Sequence, residues 1–348
     1  MSEPGLELRA GTAADDDARD AFVRAERGAS FFHLSCWRRA VEKVMRHRGR
    51  DLLAFRHDEV VGVLPLMECR GLRGGRSLIS MPYAVYGGPL AADDRVRSAL
   101  IEAGAALAVD RRAGRLELRL REDLGLDWPA SSLYATFEKA LPTEVDQVLA
   151  SMPKKARAEA RKARANHGLE LDEGGWYLPD LVNLFHRNKR SLGSPGLPAS
   201  FFQALLDEYP EQVFIHLVRR GSAPLAAAMS FVFEGTLCAY YSGTADGADR
   251  EFSASNFMYL GLQEWCVERG LKRFDFGRSR KGSGAFDFKR RQGFEPADLH
   301  YRYLLVKDKR LPSLNPSNPK TKLLRDAWQR LPAGLARRLS TPASRYLP

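Results

Sequence analysis

The sequence predicts an α/β protein of two similar halves with mixed sheets, followed by a basic tail. Three observations predict this. At 348 residues the chain exceeds one ordinary core and suits two domains of about 150 residues. A pattern of helix, strand, tight turn and long apolar strand occurs twice. Each half then closes with a long helix leading into a further strand.

In the first half, a helix starting at Ser35 as its cap carries Trp37, Val41 and Val44 toward a core. The strand Leu52–Arg56 follows, then a turn at His57-Asp58-Glu59 and one long strand, Val60–Cys69. The helix Val96–Ala113 leads into the strand Arg115–Leu120. A boundary near Leu141-Pro142 gives a first domain of residues 1–141 and a second of 142–305. The second opens on a basic helix after Pro153, then repeats the pattern: helix Phe201–Tyr209, strand Val213–Arg219, turn Arg220-Gly221-Ser222, strand Leu225–Glu234. A strand ending in Tyr240-Tyr241-Ser242-Gly243 precedes the helix Ser255–Arg269, capped by Ser253 or Ser255 and stopped by Gly270. The strand Arg273–Phe276 closes the half. Residues 306–348 are rich in Pro, Asn, Lys and Ser, with one short amphipathic helix at Leu323–Leu331, and read as a peripheral appendage.

Charge points to anionic partners. The net charge is +11, and residues 306–348 hold ten Lys or Arg against two Asp. In the cluster Lys154–Arg164, the residues Arg157, Arg161 and Arg164 fall at i, i+4 and i+7, one cationic stripe suited to phosphates. No apolar run approaches the roughly 20 residues that span a bilayer, and Met1–Asp20 lacks the order of a secretory signal, so a cytoplasmic protein is expected. The cysteines Cys36, Cys69, Cys238 and Cys266 are scattered in apolar surroundings, as buried thiols would be. Neither a metal-binding histidine pattern nor a G-x-S-x-G elbow is present, and no bound cofactor or metal is expected.

The chemistry concentrates in Arg273–Gly293, RFDFGRSRKGSGAFDFKRRQG. A buried-strand signal runs into a loop of glycine, arginine and serine, which gathers backbone N–H groups and cations at one spot. The following Ala285–Lys289 reads as strand or loop, so no helix N-terminus is expected there for a pyrophosphate. Asp275 is either a site carboxylate or an acid paired with Arg278. Lys289 is either a stabilising cation in a cleft beside Phe288 or a surface lysine beside Arg290 and Arg291. In the first half, Met81–Pro89 sets Tyr83 and Tyr86 on a loop shaped by Gly87, which is either a surface for acceptor contacts or a turn packed for structure. Without a nucleophile, the site suits direct attack by an acceptor amine on an acyl donor.

Phe274–Ser279, Gly282–Gly284, Phe288-Lys289, Gly293 and the Pro82–Gly88 loop together resemble the FemAB/FemX-type transferases. Asn315-Pro316 and Trp328–Pro332 resemble their branch associated with exosortase (PEP-CTERM) exopolysaccharide systems. The resemblance covers nearly the whole chain and implies two GNAT-like (acetyltransferase-like) domains. It also implies an N-acyl or aminoacyl transferase acting on a peptidoglycan or exopolysaccharide precursor, lipid-linked or nucleotide-linked. By position, Phe288-Lys289 matches the pair that stabilises the oxyanion. The expected donor is acyl-CoA or aminoacyl-tRNA, bound near Tyr241, Ser253, Ser255, Arg278 and Ser279. The expected acceptor contacts are Tyr83, Tyr86, Gly87, Arg157, Arg161 and Asp275. The basic tail would meet an anionic inner-membrane surface. The other reading is a non-catalytic member that holds RNA or membrane in an envelope-assembly system.

Overall fold

The computed structural model describes residues 5–71, 74–166, 168–312 and 319–348. The chain forms two compact units. Unit 1 comprises Met1–Leu133, Asp298–Ser313 and Arg345–Pro348, and unit 2 comprises Tyr134–Ala297 and Leu314–Ser344. The division therefore falls at Leu133/Tyr134, where the sequence suggested Leu141-Pro142. Strand pairing sets it: Tyr134–Ala140 pairs within the unit 2 sheet, and His300–Leu305 pairs with Arg115–Leu120 in unit 1.

Unit 1 holds two sheets. The four-stranded sheet runs β1 (Leu6–Ala10), β3 (Leu52–Arg56), β4 (Glu59–Leu64) and β7 (Leu90–Ala91). The six-stranded sheet runs β2 (Arg48–Gly49), β5 (Met67–Arg70), β6 (Arg76–Ile79), β8 (Arg115–Leu120), β18 (His300–Leu305) and β9 (Ala130–Ser131). The single strand expected over Val60–Cys69 is thus two strands in two sheets. Pro65 has no N–H to continue a ladder, and the Leu66 N–H instead donates to Asp51 Oδ1 at 3.0 Å. The helices are α1 (Asp16–Ala25), α2 (Ser35–Ala40, continued by a π turn to Met45) and α3 (Asp94–Asp110). Ser35 does not cap α2. Leu34 holds the cap position, and the Ser35 hydroxyl donates to Asp20 Oδ2 at 2.7 Å. Asp93 caps α3, accepting from the N–H groups of Arg95 and Val96, and Val96, Leu100, Gly104 and Ala108 form its buried side.

Unit 2 is built on an eight-stranded sheet. Its order is β11 (Glu170–Glu173), β12 (Val213–Arg220), β13 (Ala223–Phe233), β14 (Thr236–Thr244), β15 (Arg273–Asp275), β10 (Tyr134–Ala140) and β16 (Ser279–Arg280), with β17 (Pro296–Asp298) on β10. Only the β14–β15 pairing is parallel among those whose register is resolved. The helices are α4 (Val145–Ser151), α5 (Lys154–Asn166), α6 (Leu178–Ser191), α7 (Ala199–Glu208), α8 (Ala248–Phe252), α9 (Ala254–Glu268), α10 (Gly284–Arg291), α11 (Pro319–Arg330) and α12 (Ala333–Ser344). Helix α9 connects β14 to β15 and buries Met258, Leu262 and Cys266 at four-residue spacing. Gly243 fixes how closely α6 lies on β14, because a Cβ there would stand 2.4 Å from the Leu184 carbonyl carbon.

Two further expectations are corrected here. Phe286–Lys289 is helical, inside α10, because the Ser283 hydroxyl caps it by accepting from the Phe286 N–H at 3.3 Å. The tail is no appendage. Helices α11 and α12 pack on α6, where Arg190 Nη1 donates to Leu331 O at 3.0 Å, and on the loop after it, where the Gly196 N–H donates to Ser340 Oγ at 3.2 Å. Ala336, Ser340 and Ser344, spaced by four, supply a buried face that the Pro- and Lys-rich composition had masked. Asn315-Pro316 lies outside the described residues. The last residues return to unit 1, with Tyr83 Oη donating to Arg345 O and Arg119 Nη2 to Pro348 O. No helix among the described residues is long and apolar enough to cross a membrane.

Candidate active site

The parallel pair β14–β15 separates early. Its last paired residues are Cys238 and Asp275. The next N–H, of Phe276, donates instead to Phe137 O on β10 at 2.8 Å, so the chain leaves β14 at that point. On the other side, the register of β13 on β14 shifts between Met229 and Ser230, leaving Tyr240 as the extra residue of a bulge. A bulge bends its strand. Among the resolved pairings β14 has no strand partner on that side from Ala239 to Thr244, and this parting of β14 from residues 276–278 is the candidate crevice.

The loop at the crevice is tightly held. The buried Asp275 carboxylate accepts from the Gly277 N–H at 2.6 Å, and Gly277 turns with φ +62°. Phe274, Asp275 and Phe276 are all buried, as in a central strand covered on both faces. From α10, Lys289 Nζ donates to three consecutive carbonyls: Phe276 at 2.6 Å, Gly277 at 3.1 Å and Arg278 at 3.2 Å. An ammonium has three N–H donors, so this set uses all of them. The Phe137 and Phe276 rings stand 5.4 and 5.7 Å from the nitrogen. Burial pulls the Lys289 pKa down to about 8, against the opposing pull of the Asp275 carboxylate. Phe276, Phe288 and Tyr259 form an aromatic wall, with ring centroids 4.5 Å apart for Tyr259–Phe276 and 5.7 Å for Tyr259–Phe288. Tyr259 Oη donates to Ser242 Oγ on β14 at 3.3 Å.

Residues 150–290 match the acetyltransferase (GNAT) domain family model. The crevice and Lys289 lie within that GNAT span. Over both units the chain resembles the crystal structure of FemX, at 15% identity, covering 86% of this chain and 97% of that one, with a TM-score of 0.63. It also resembles a tandem GNAT protein from the clavulanic acid biosynthesis pathway (14% identity, 88% and 99% covered, TM-score 0.56). A third likeness is to L-PGS from Bacillus licheniformis (15% identity, 91% and 98% covered, TM-score 0.53). No curated protein matches the sequence. At these identities the likeness shows the fold, an α/β tandem GNAT architecture with mixed sheets.

Within the GNAT span, Asp275, Arg278, Ser279, Phe288 and Lys289 come together. Arg278 stacks over the Tyr134 ring at 4.7 Å, and the buried Ser279 is fixed by pairing with Ala135. The other expected donor contacts are engaged within the fold. Tyr241 is buried in an aromatic cluster with Phe185 and Phe202. Ser253 holds the N-terminal position of α9 at φ +53° without capping it, and its hydroxyl donates to Glu159 Oε2 at 2.8 Å. Ser255 is held by Asp249, whose two carboxylate oxygens accept from its N–H at 2.7 Å and its hydroxyl at 2.9 Å. Asp249 thus places a carboxylate on the first turn of α9.

Two of the stripe arginines are already engaged. Arg164 pairs with Glu264, and Arg157 donates to Ala150 O, while Arg161 stays exposed with Lys154, Lys155 and Lys162. Helix α5 buries Ala156, Ala160 and Ala163 and turns its cations outward. Its start adjoins the end of α10, because a Cβ on Gly293 would meet Pro153 at 2.8 Å. Gln292 Nε2 also donates to Asn256 Oδ1 on α9 at 2.6 Å.

In unit 1 the tyrosine loop is not a surface. Tyr83 and Tyr86 are buried, and Tyr83 Oη and His47 Nε2 are hydrogen-bonded at 2.9 Å. Arg119 donates to Met81 O at 3.3 Å and Ala84 O at 3.0 Å, while Arg121 covers the Tyr86 ring at 4.2 Å. Gly87 is required by close backbone approach, since a Cβ would stand 2.4 Å from Ser80 O. Of the two readings of this loop the packed turn holds and the surface for acceptor contacts is corrected, because its rings lie inside. Sequence reasoning missed Tyr259, Asp249, Phe137 and the Tyr240 bulge. An acid and a serine closely preceding a helical run was the available signal for Asp249 and Ser255.

Proposed function

We propose that unit 2 is an aminoacyltransferase that forms an amide on an amine of a phosphate-bearing envelope precursor, of the peptidoglycan or exopolysaccharide kind, with aminoacyl-tRNA as donor. One observation carries the choice of donor: the N-terminus of α9 is closed by Asp249, with Glu159 beside it at Ser253. A CoA pyrophosphate there would meet two carboxylates, one of them already holding the Ser255 N–H. In unit 1, Asp93 closes α3 in the same way. The exposed cations Lys154, Lys155 and Arg161 of α5, with Arg290 and Arg291 of α10, instead offer a surface to a phosphate backbone. The FemX-type resemblance points the same way.

The chemistry follows from the crevice. The acceptor nitrogen attacks the ester carbonyl, a C–N bond forms, and the carbonyl oxygen takes up negative charge. Lys289 exchanges its longest carbonyl contact, Arg278 O, for that oxyanion. On collapse the ester C–O bond breaks, and the tRNA ribose oxygen leaves with a proton that originates on the amine. Phe276, Phe288 and Tyr259 keep water from the ester. The test is formation of an aminoacyl hydroxamate from aminoacyl-tRNA, with hydroxylamine as surrogate amine. Enzyme-dependent product that disappears in Lys289→Ala supports the reading. Equal product from both proteins removes it.

A further inference from the structure

We infer that the outer faces of α11 and α12 form a docking surface for an anionic lipid bilayer. Among the described residues, four exposed leucines lie on these two helices. Leu323 and Leu324 stand 72% exposed on α11, and Leu335 and Leu339 are exposed on α12. Both helices pack on α6 and the loop after it, with Arg325 against Gly193 and Ser340 accepting from the Gly196 N–H, and Ala336, Ser340 and Ser344 are buried. The exposed leucines are therefore not part of that packing.

Charge identifies the occupant. Lys322 and Arg330 border the leucines of α11, and Leu335, Arg338, Leu339 and Pro342 form one stripe on α12 at i, i+3, i+4 and i+7, with Arg337 beside it. The one acid of the two helices, Asp326, is half-buried. Leucines interleaved with cations on short helices lying along a surface are what an anionic headgroup layer accepts: the leucines enter the acyl boundary and the cations remain among the phosphates. The core of a protein–protein interface is instead depleted in charge. A surface of this kind holds the enzyme at a membrane without spanning it. The inference uses neither the donor nor the crevice, so it stands or falls apart from the proposed chemistry.

The experiment is co-sedimentation of the full chain with vesicles of phosphatidylglycerol and phosphatidylcholine, and with phosphatidylcholine alone. It is repeated with the combined variant Leu323→Ser, Leu324→Ser, Leu335→Ser and Leu339→Ser, with circular dichroism to check folding. The expected result is partitioning at least about tenfold stronger onto the anionic vesicles, reduced about tenfold in the folded variant. Should the variant misfold, Arg337→Gln with Arg338→Gln serves instead and lowers anionic binding alone. Full-chain protein left in the supernatant with anionic vesicles overturns the inference. So does a folded leucine variant that binds like the wild type. A leucine-dependent dimer in sedimentation velocity, without vesicle binding, assigns the face to a second copy and also overturns it.

Discussion

Each unit fastens the loop beyond its parallel strand pair with a cation, and the two cations differ. In unit 1 the β6–β8 pair stays closed: the Ser80 N–H donates to Glu117 O, and the Gly87 N–H to Arg119 O. Arg119 then clamps Met81 O and Ala84 O while paired to the buried Glu117 at 2.9 Å. In unit 2 the β14–β15 pair opens, and Lys289 holds three carbonyls from a half-buried position. A guanidinium keeps its charge and its fixed fork of donors, which suits a permanent lock. A desolvated ammonium can rotate, exchange partners and lose its proton. The difference teaches which loop is built to stay and which is built to respond.

Substituting the two cations is the strongest way to break the comparison. Lys289→Ala should lower hydroxamate formation by about 10²–10³-fold, the scale of losing one oxyanion donor, while the protein still folds. Arg119→Ala should act on stability instead: it leaves the buried Glu117 with only Arg115, at 3.9 Å, and should cost about 3 kcal/mol, read by urea denaturation. If Arg119→Ala were the more harmful to turnover in a folded protein, the roles assigned to the units would be reversed.

Titration sharpens the same contrast. The folded pKa of Lys289, about 8, lies below its ordinary value of 10.5. Its charge is therefore lost as pH rises through 8, and activity should fall on an alkaline limb near that value. Between pH 8 and 10.5 the unfolded chain binds the extra proton, so this group's contribution to stability rises with pH across that window. Activity and thermal stability should then move apart there, and Lys289→Met should reduce the stability change, leaving the part due to Lys139, which burial also lowers to about 8. In unit 1, burial lowers both His33 and His47 to about 4. There too the unfolded state binds more protons, so the stability these groups contribute is lost as pH falls from 6.5 through 4. Stepwise acid unfolding followed by Trp37 fluorescence checks this, and His47→Gln should reduce the effect.

Smaller effects test the supports. Gly87→Ala and Gly243→Ala should each cost about 1–3 kcal/mol, since both put a Cβ at 2.4 Å from backbone. Ser283→Ala removes the cap of α10 and should cost about 1 kcal/mol. Denaturant midpoints rank all three.

Much of this architecture was legible along the chain. Leu52–Arg56 and Arg115–Leu120 match their strands end to end, because apolar runs closed by turns are local signals. Gly270, at φ +70°, stops α9 where expected. The misses depend on partners distant in sequence. Whether Tyr83 lies on a surface or inside is decided by Arg119 and His47. The Tyr240 bulge is decided by the register of β13. The α10 helix was local, however: Ser283 followed by a short run with three terminal cations carried its cap and its charge pattern, and the glycines on either side of Ser283 obscured them. Lys289 was legible as a candidate, but its three carbonyl partners were not.

The most direct single measurement is a calorimetric titration of the full chain with acetyl-CoA and, separately, with aminoacyl-tRNA. The account predicts micromolar, salt-sensitive binding of aminoacyl-tRNA, weakened by Lys154→Glu with Lys155→Glu, and no saturable binding of acetyl-CoA. Saturable micromolar binding of acetyl-CoA by the wild-type chain would contradict it, because Asp249 would then not be closing the α9 N-terminus to a pyrophosphate.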